Sequence, residues 1–157
     1  GCPDLIHVAL IEPEIPQNTG NIGRLCLGLG AVLHLVHPLG FSITEKAVRR
    51  AGLDYWKHVK CHEHDDVPSF FRWAKGKPIF GLSTKAHSQY NHVVYPTGSI
   101  LVFGPETRGL NEKIRSEILD KGNNQARNID AELSQYNIEW LKYSMKIPMI
   151  APKPKED

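Results

Sequence analysis

Short apolar runs alternate along this chain with longer segments of helical periodicity, and this alternation limits the possible folds more than any other feature. Each run ends in a polar loop that contains glycine or proline, which is typical of buried strands. Strands that alternate with helices form βαβ units, so we expect an α/β fold with a mostly parallel sheet flanked by helices. The predicted strands are Leu5–Ile11, Val32–Val36, His58–His62, Pro78–Ser83 and Ile100–Phe103.

Four helices are predicted from a capping residue at the start of each, and the first also carries apolar residues at helical spacing. The length of 157 residues suits one domain that spans residues 1–157. The first helix is capped by Asn18 and ends near Gly28 and Gly30, and the second, Glu45–Ala51, is capped by Thr44. The third is capped by Asp65 or Asp66 and carries Phe70, Phe71 and Trp73. The fourth, Glu112–Asp120, is capped by Asn111 and followed by Gly122.

The composition excludes few classes of protein. A net charge of +2 is mildly basic, which permits an RNA partner without requiring one. The three cysteines, Cys2, Cys26 and Cys61, share no close spacing, so we expect no disulfide framework and a cytoplasmic location. No apolar run is long enough to span a bilayer, and Gly1–Asp4 lacks the features of a secretory signal. We therefore expect no membrane partner.

The loops that follow the strands are the candidates for chemistry, because ligands of parallel α/β sheets bind beyond the carboxyl ends of the strands. Neither of the usual phosphate-binding glycine motifs follows a predicted strand, and Gly28-x-Gly30 lies at the end of a helix. A ligand without phosphates is therefore favoured over a nucleoside triphosphate or a dinucleotide. The candidate loops are Glu12–Asn18, Ser83–His87 and Gly104–Gly109.

The loop Phe103–Leu110 has two interpretations. Gly104 lets a ligand approach the backbone, and Pro105 fixes the backbone conformation, so the loop is preshaped for binding. Glu106 and Arg108 would then supply one acceptor and one cation. The same composition equally fits an ordinary surface turn in which these two side chains pair with each other.

The segment after the first strand carries Asn18, Asn21 and Arg24 at intervals of three residues. On a helix these residues lie near one face. A guanidinium group in that position can grip a phosphate through two hydrogen bonds. The alternative interpretation is a capping asparagine and an exposed arginine without a specific role.

Four motifs resemble those of a known class. The runs EPEIPQNTGNIGRLC (residues 12–26) and FGPETRGL (residues 103–110) resemble the first two motifs of the SPOUT methyltransferases. RRAGLDY (residues 49–55) and LSTK (residues 82–85) resemble the small single-domain tRNA methyltransferases that modify the ribose of the wobble nucleotide, usually a cytidine or a uridine. The resemblance runs from about residue 5 to about residue 119. It implies a SPOUT α/β trefoil knot, S-adenosylmethionine as methyl donor, S-adenosylhomocysteine as product, a tRNA substrate and a homodimer.

The resemblance also implies roles for individual residues. Arg24 is implied as the catalytic residue, and we expect it to act as a cation that orients the adjacent phosphate and favours ionisation of the ribose hydroxyl, because arginine stays protonated in proteins. No metal is expected, since the sulfonium group already activates the methyl group. The implied cofactor-binding residues are Leu82, Ser83, Thr84, Gly104, Glu106, Gly109, Ile147 and Met149, and the implied RNA-binding residues are Asn18, Asn21, Arg49 and Arg50.

The chain diverges from the family from about residue 122 onward. The family's third motif, a loop rich in serine and asparagine followed by an amphipathic helix, is not matched after Ile147–Met149. A truncated chain, a divergent ending, or a replacement of the last helix by Ile129–Tyr143, which has helical apolar spacing, would each explain this. A non-catalytic RNA-binding relative is therefore the second hypothesis, and an unrelated α/β enzyme acting on a small metabolite is the third.

A second group of ligand-type side chains consists of His58, Cys61, His62 and His64. A zinc site is conceivable there, but the spacing matches no closed four-ligand pattern. We therefore expect these histidines to be solvated or to lie at the edge of the core.

Overall fold

The computed structural model of the protein describes residues 6–44, 54–83, 88–89, 98–105, 107–120 and 125–128. Within these ranges, no helix is long and apolar enough to cross a membrane. The elements are β1 (His7–Ile11), α1 (Pro16–Leu29), β2 (Val32–Val36), a 3₁₀ helix (Asp54–His58), β3 (Cys61–His64), α2 (Val67–Ala74), β4 (Ile79–Ser83), β5 (Ser88–Gln89), β6 (Ile100–Phe103), α3 (Glu112–Asp120) and β7 (Gln125–Asn128).

The strands form one sheet in the order β3-β2-β1-β6-β4-β7-β5, and all of the strand pairs that the structure describes are parallel. The chain runs outward from β1 through β2 to β3 and later returns to place β6 between β1 and β4. Phe103 at the end of β6 therefore pairs with Leu10 on one side and Leu82 on the other. The carboxyl ends of β1, β6 and β4 lie side by side, where the order of the strands changes direction and a crevice for a ligand is expected.

The two faces of the sheet are both covered, which confirms the predicted α/β architecture. Residues of α1, among them Ile22 and Cys26, pack on the face that presents Leu10, Leu33 and Phe103. Residues of α2 and α3 pack on the opposite face. Strands buried on both faces read as continuous apolar runs, and β6 is buried along its whole length.

Helix α1 begins three residues earlier than predicted. Pro16 is its first residue and Ile15 its N-cap, so the prediction that Asn18 caps this helix is wrong. Proline suits the first helical position because its fixed φ is helical and its missing N–H would have no partner there. At the other end Gly30 has a φ of 74° and donates its N–H to the carbonyls of Cys26 and Leu27, as the two predicted glycines indicated.

The two other described α-helices start where they were predicted to start. Asp66 accepts a hydrogen bond from the N–H of Ser69, and Asn111 accepts one from the N–H of Ile114. The third strand is shifted, because residues 54–58 form the 3₁₀ helix and pairing with β2 begins only at Cys61.

Strands β5 and β7 were not predicted, because the polar sequences SQ and QARN lack an apolar pattern. The helix Glu45–Ala51, Gly122, the helix within Ile129–Tyr143 and the strand Ile147–Met149 lie outside the described residues.

A chain of histidines crosses the sheet beneath Trp73. Nδ1 of His7 lies 2.9 Å from Nε2 of His34, and Nδ1 of His34 lies 2.9 Å from Nε2 of His64. Each neutral imidazole has one donor and one acceptor nitrogen, so this geometry suits a directional chain of neutral rings. His62 stacks on His34 at a centroid distance of 5.3 Å. Among the described residues, no group of three or more candidate ligands is arranged to hold a metal ion.

Burial keeps this chain of histidines uncharged. Desolvation, with the positive charge of Lys77 and then of His62, lowers the pKa of His7 from 6.5 to about 4. Desolvation and the neighbouring histidines lower the pKa of His34 to about 2, and desolvation also lowers the pKa of His64. Of the histidines predicted to be solvated or at the core edge, His64 lies at such an edge.

We expect the free energy of unfolding to decrease as the pH falls from about 6.5 towards 4. Unfolded histidines with the ordinary pKa of 6.5 take up protons in this range, whereas His7 and His34 in the folded chain do not. The unfolded state therefore binds more protons and is favoured by acid. Urea unfolding at several pH values measures this slope, and His34→Leu should reduce it. A flat profile between pH 6.5 and 4 in the unmodified protein would contradict the prediction.

Candidate active site

The candidate site lies at the carboxyl ends of β1, β6 and β4. The loop after β1 leads through Glu12, whose φ is 48°, into helix α1. The loop after β6 leads from Gly104 into α3. Because β1 and β6 are paired neighbours, these two loops emerge next to each other although they are far apart in the sequence.

Glu14 joins the two loops directly. Its Oε1 accepts hydrogen bonds from the N–H of Thr107 at 2.9 Å and from the hydroxyl of Thr107 at 2.8 Å. Its Oε2 accepts a hydrogen bond from Nε of Arg108 at 3.2 Å. Nη2 of Arg108 also lies 3.7 Å from Oε1 of Glu12. Four polar contacts thus connect the segment before α1 to the turn after β6.

These contacts affect the ionisation of Glu14. The N–H of Thr107 is the main cause that lowers the pKa of this carboxyl, followed by the Thr107 hydroxyl and by Arg108. Arg108 therefore pairs with Glu12 and Glu14 in the loop after β1. The interpretation of residues 103–110 as an ordinary surface turn had paired Arg108 only within its own loop. Glu106, its predicted partner in that interpretation, lies outside the described residues. Sequence reasoning missed Glu14, although its position directly after β1 in a strand-end loop was the available signal.

The turn after β6 is closed on itself. A Cβ atom on Gly104 would overlap the backbone of Gly109 and Leu110, so the space beside Gly104 is taken by the loop's own backbone. Gly109 has a φ of 68°, which favours glycine, and its N–H donates to the carbonyl of Pro105 at 2.7 Å. Both glycines are therefore required by the compact shape of the turn. The predicted approach of a ligand to Gly104 would have to use the other side of this backbone.

Arg24 is exposed on α1, as is Asn21 three residues before it, whereas Asn18 is half-buried. Its guanidinium carbon lies 5.3 Å from the ring centroid of Tyr55. Tyr55 donates its hydroxyl hydrogen to the carbonyl of Gly20 at 2.9 Å. Sequence reasoning placed Tyr55 in a matched motif but assigned it no role.

The structure brings only some of the predicted site residues together. Leu82 and Ser83 end β4, and Leu82 pairs with Phe103 at the end of β6, so the two strand ends are adjacent. The predicted site residues outside the described ranges are Thr84, Glu106, Ile147, Met149, Arg49 and Arg50.

Comparison with known proteins gives consistent results. The model of the SpoU rRNA Methylase family matches residues 5–121. A relative from Methylovorus glucosotrophus (strain SIP3-4), named tRNA (cytidine(34)-2′-O)-methyltransferase, is 43% identical over 113 residues, which are 72% of this chain and 73% of the relative. A solved structure that concerns the 2-OH methylation of C/U34 on tRNA has a TM-score of 0.74 and 31% identity, and the match covers 93% of each chain.

A more distant structure shares the fold. The SpoU methyltransferase AviRb from Streptomyces viridochromogenes, solved in complex with the cofactor AdoMet, has a TM-score of 0.68 and 18% identity. The match covers 94% of this chain and 62% of AviRb.

Removal of the Glu14 carboxylate should loosen the turn after β6. In Glu14→Ala the Thr107 N–H loses its acceptor, so we expect its hydrogen exchange to accelerate by about two- to ten-fold, the factor that corresponds to one net hydrogen bond. Exchange measured by NMR tests this. Glu63→Gln is the matched control, because Glu63 pairs with His37 on the edge strand β3, two strands away from β1. An unchanged rate of hydrogen exchange at the Thr107 N–H in Glu14→Ala would show that the contacts of Glu14 do not hold the turn.

Proposed function

Because this chain belongs to the SpoU rRNA Methylase family, we propose that it transfers a methyl group from S-adenosylmethionine to a ribose 2′-hydroxyl of tRNA, at the wobble nucleotide. The observation that carries the proposal is the match over about 70% of a relative that is named for this reaction. The structural similarity to a protein of C/U34 methylation supports it over nearly the whole chain.

The residues present fit such a cofactor. The carboxyl ends of three neighbouring strands, β1, β6 and β4, lie where the strand order changes and offer backbone groups, and no phosphate-binding motif accompanies them. In addition, Oγ1 of Thr19, in the first turns of α1, is buried and has no hydrogen-bond partner within the described part of the chain. A buried hydroxyl of this kind is normally satisfied, so a ligand's polar atom could complete it. The proposed cofactor-binding residues are Leu82, Ser83, Thr84, Gly104, Glu106, Gly109, Ile147 and Met149.

When bound, S-adenosylmethionine supplies a methyl group on a positively charged sulfur, and S-adenosylhomocysteine is the product. The contribution of the chain itself is largely to place the reacting groups, which can supply much of the barrier reduction. Glu14 serves this purpose by fixing the turn after β6 to the segment that starts α1. The two loops then keep one geometry relative to each other.

Arg24 is the proposed catalytic residue. Its guanidinium group is exposed on α1 and remains protonated, so it acts as a cation and not as a base. We expect it to bind the phosphate next to the target ribose and to favour the ionised form of the 2′-oxygen. The first effect orients the ribose and the second makes the 2′-oxygen a better nucleophile, while the hydroxyl proton passes to solvent water because Arg24 does not accept it.

The remaining partners follow from the same proposal. Asn18 and Asn21 lie on the same helix as Arg24 and are proposed to contact RNA, as are Arg49 and Arg50. Such contacts to the RNA backbone position the substrate more than they select its sequence. We further propose a homodimer and a cytoplasmic location, where tRNA is modified.

Transfer of a labelled methyl group from S-adenosylmethionine to tRNA tests the function. Arg24→Ala should reduce the rate by about 100-fold or more, the usual effect of removing one group that stabilises charge in the transition state. Arg24→Lys keeps the charge but loses the two-pronged hydrogen bonding, so its rate should lie between those of the other two proteins. Binding of S-adenosylhomocysteine, measured by calorimetry, should be unchanged in both variants.

Failure of the proposal would also be informative. A folded, unmodified chain that transfers no methyl group to total tRNA would overturn it. Salt-sensitive tRNA binding without any binding of S-adenosylhomocysteine would then identify a non-catalytic RNA-binding relative.

A further inference from the structure

Tyr55 contacts one complete turn of α1. Its hydroxyl donates to the carbonyl of Gly20 at 2.9 Å, and its ring lies under the guanidinium group of Arg24, 5.3 Å from the ring centroid. Gly20 and Arg24 are four residues apart, which is about one helical turn. The tyrosine therefore holds the backbone at the start of this turn and the side chain at its end.

The neighbouring tryptophan packs against the same turn of α1 at a separate point, Gly23. A Cβ atom on Gly23 would lie 2.5 Å from Cζ3 of Trp56, so only glycine allows the 3₁₀ helix to pack this closely against α1. The N–H of Val59 closes the 3₁₀ helix by donating to the carbonyl of Trp56 at 3.0 Å. The 3₁₀ helix that carries Tyr55 is thus packed against the same turn of α1, while the contact with Arg24 is made by Tyr55 itself.

Arg24 needs such support because its side chain is long and exposed. A flexible arginine loses conformational entropy whenever it is held in one geometry. Among the described residues no carboxylate pairs with Arg24, so a phosphate can approach its charge without competition from an acidic side chain. The face of an aromatic ring attracts a guanidinium group without neutralising it, and guanidinium planes stack readily on such faces.

The pKa of half-buried Tyr55 reflects both its burial and its contact with Arg24. Desolvation raises the pKa of Tyr55, and the positive charge of Arg24 opposes this effect. The phenol therefore stays neutral at physiological pH and can donate its hydrogen to Gly20.

We propose that Tyr55 is a positioning residue that orients the guanidinium group of Arg24 towards the phosphate of the RNA substrate. This inference rests on the proposed function for its chemistry, but the contact itself can be tested separately. It assigns a role to Tyr55, the last residue of the RRAGLDY motif. It also gives a reason for the packing of the 3₁₀ helix Asp54–His58 against the turn of α1 that ends at Arg24.

The kinetic test compares Tyr55→Leu with Tyr55→Phe. Tyr55→Leu removes the ring, and we expect kcat to fall by about two- to five-fold, the factor that corresponds to one exposed cation–π contact, with an unchanged KM for S-adenosylmethionine. Tyr55→Phe keeps the ring and should retain most of the activity. In the Arg24→Gln background, Tyr55→Leu should have no further effect on kcat. An equal loss in both backgrounds would overturn the proposal.

Trp56→Leu is the matched control, because Trp56 packs against Gly23 on the same 3₁₀ helix. We expect this variant to lower the Tm while the folded protein keeps its kcat. If Trp56→Leu lowered kcat as much as Tyr55→Leu at equal folded fraction, general loosening of the 3₁₀ helix would explain both, and the proposal would fail.

A spectroscopic measurement decides independently of activity. The Nε proton of Arg24 should resonate upfield because of the tyrosine ring current, in the unmodified protein and in Tyr55→Phe but not in Tyr55→Leu. An unshifted proton in the unmodified protein overturns the proposal.

If no methyl transfer is found, the proposed function falls, and the same variant pairs are compared for tRNA affinity. There too the loss in Tyr55→Leu should disappear when Arg24 is replaced, and a persistent loss overturns the proposal.

Discussion

Parallel pairing of β6 with β1 is the constraint on which the rest of the site depends. Only this pairing makes the loops after β1 and β6 neighbours. The pairing of Leu10 with Phe103 brings both strand ends to one level. Glu14 can reach Thr107 and Arg108 only for this reason. The topology therefore comes first, and the polar contacts between the loops follow from it.

Helix α1 transmits this geometry to the proposed catalytic residue. Glu14 lies two residues before Pro16, where the helix begins, and Arg24 lies eight residues, or about 12 Å, further along the helix. One end of the segment from Glu14 to Arg24 is fixed to the turn after β6 by Glu14, and the middle is fixed by Tyr55. The positions of the turn and of the cation are thus coupled through the backbone of α1.

The sequence was a good guide wherever local chemistry decides the structure. The continuous apolar runs of β1, β2, β4 and β6 and the caps Asp66 and Asn111 could be predicted because burial and capping act on single residues and their neighbours. The start of α1 was missed because a proline at the first position outweighed a good capping asparagine. The short polar strands carried no pattern, since their partners alone determine them. Glu14, Gly23 and Tyr55 act through residues distant in sequence, so no local pattern shows their contacts.

The parts of the site differ in what holds them together. The turn after β6 is held by buried backbone, by the packing of Gly104 against Gly109 and by the fully buried strand before it. The bonds of Glu14 and the ring contact of Arg24 lie at the surface, where salt and water screen charges, so they add little to stability. Their effect is on orientation, since each restricts a long side chain or a loop that the core leaves free. A protein can thus lose such a contact, remain folded, and still have its reacting groups displaced, which is why kinetics and hydrogen exchange report on these residues better than melting temperature does.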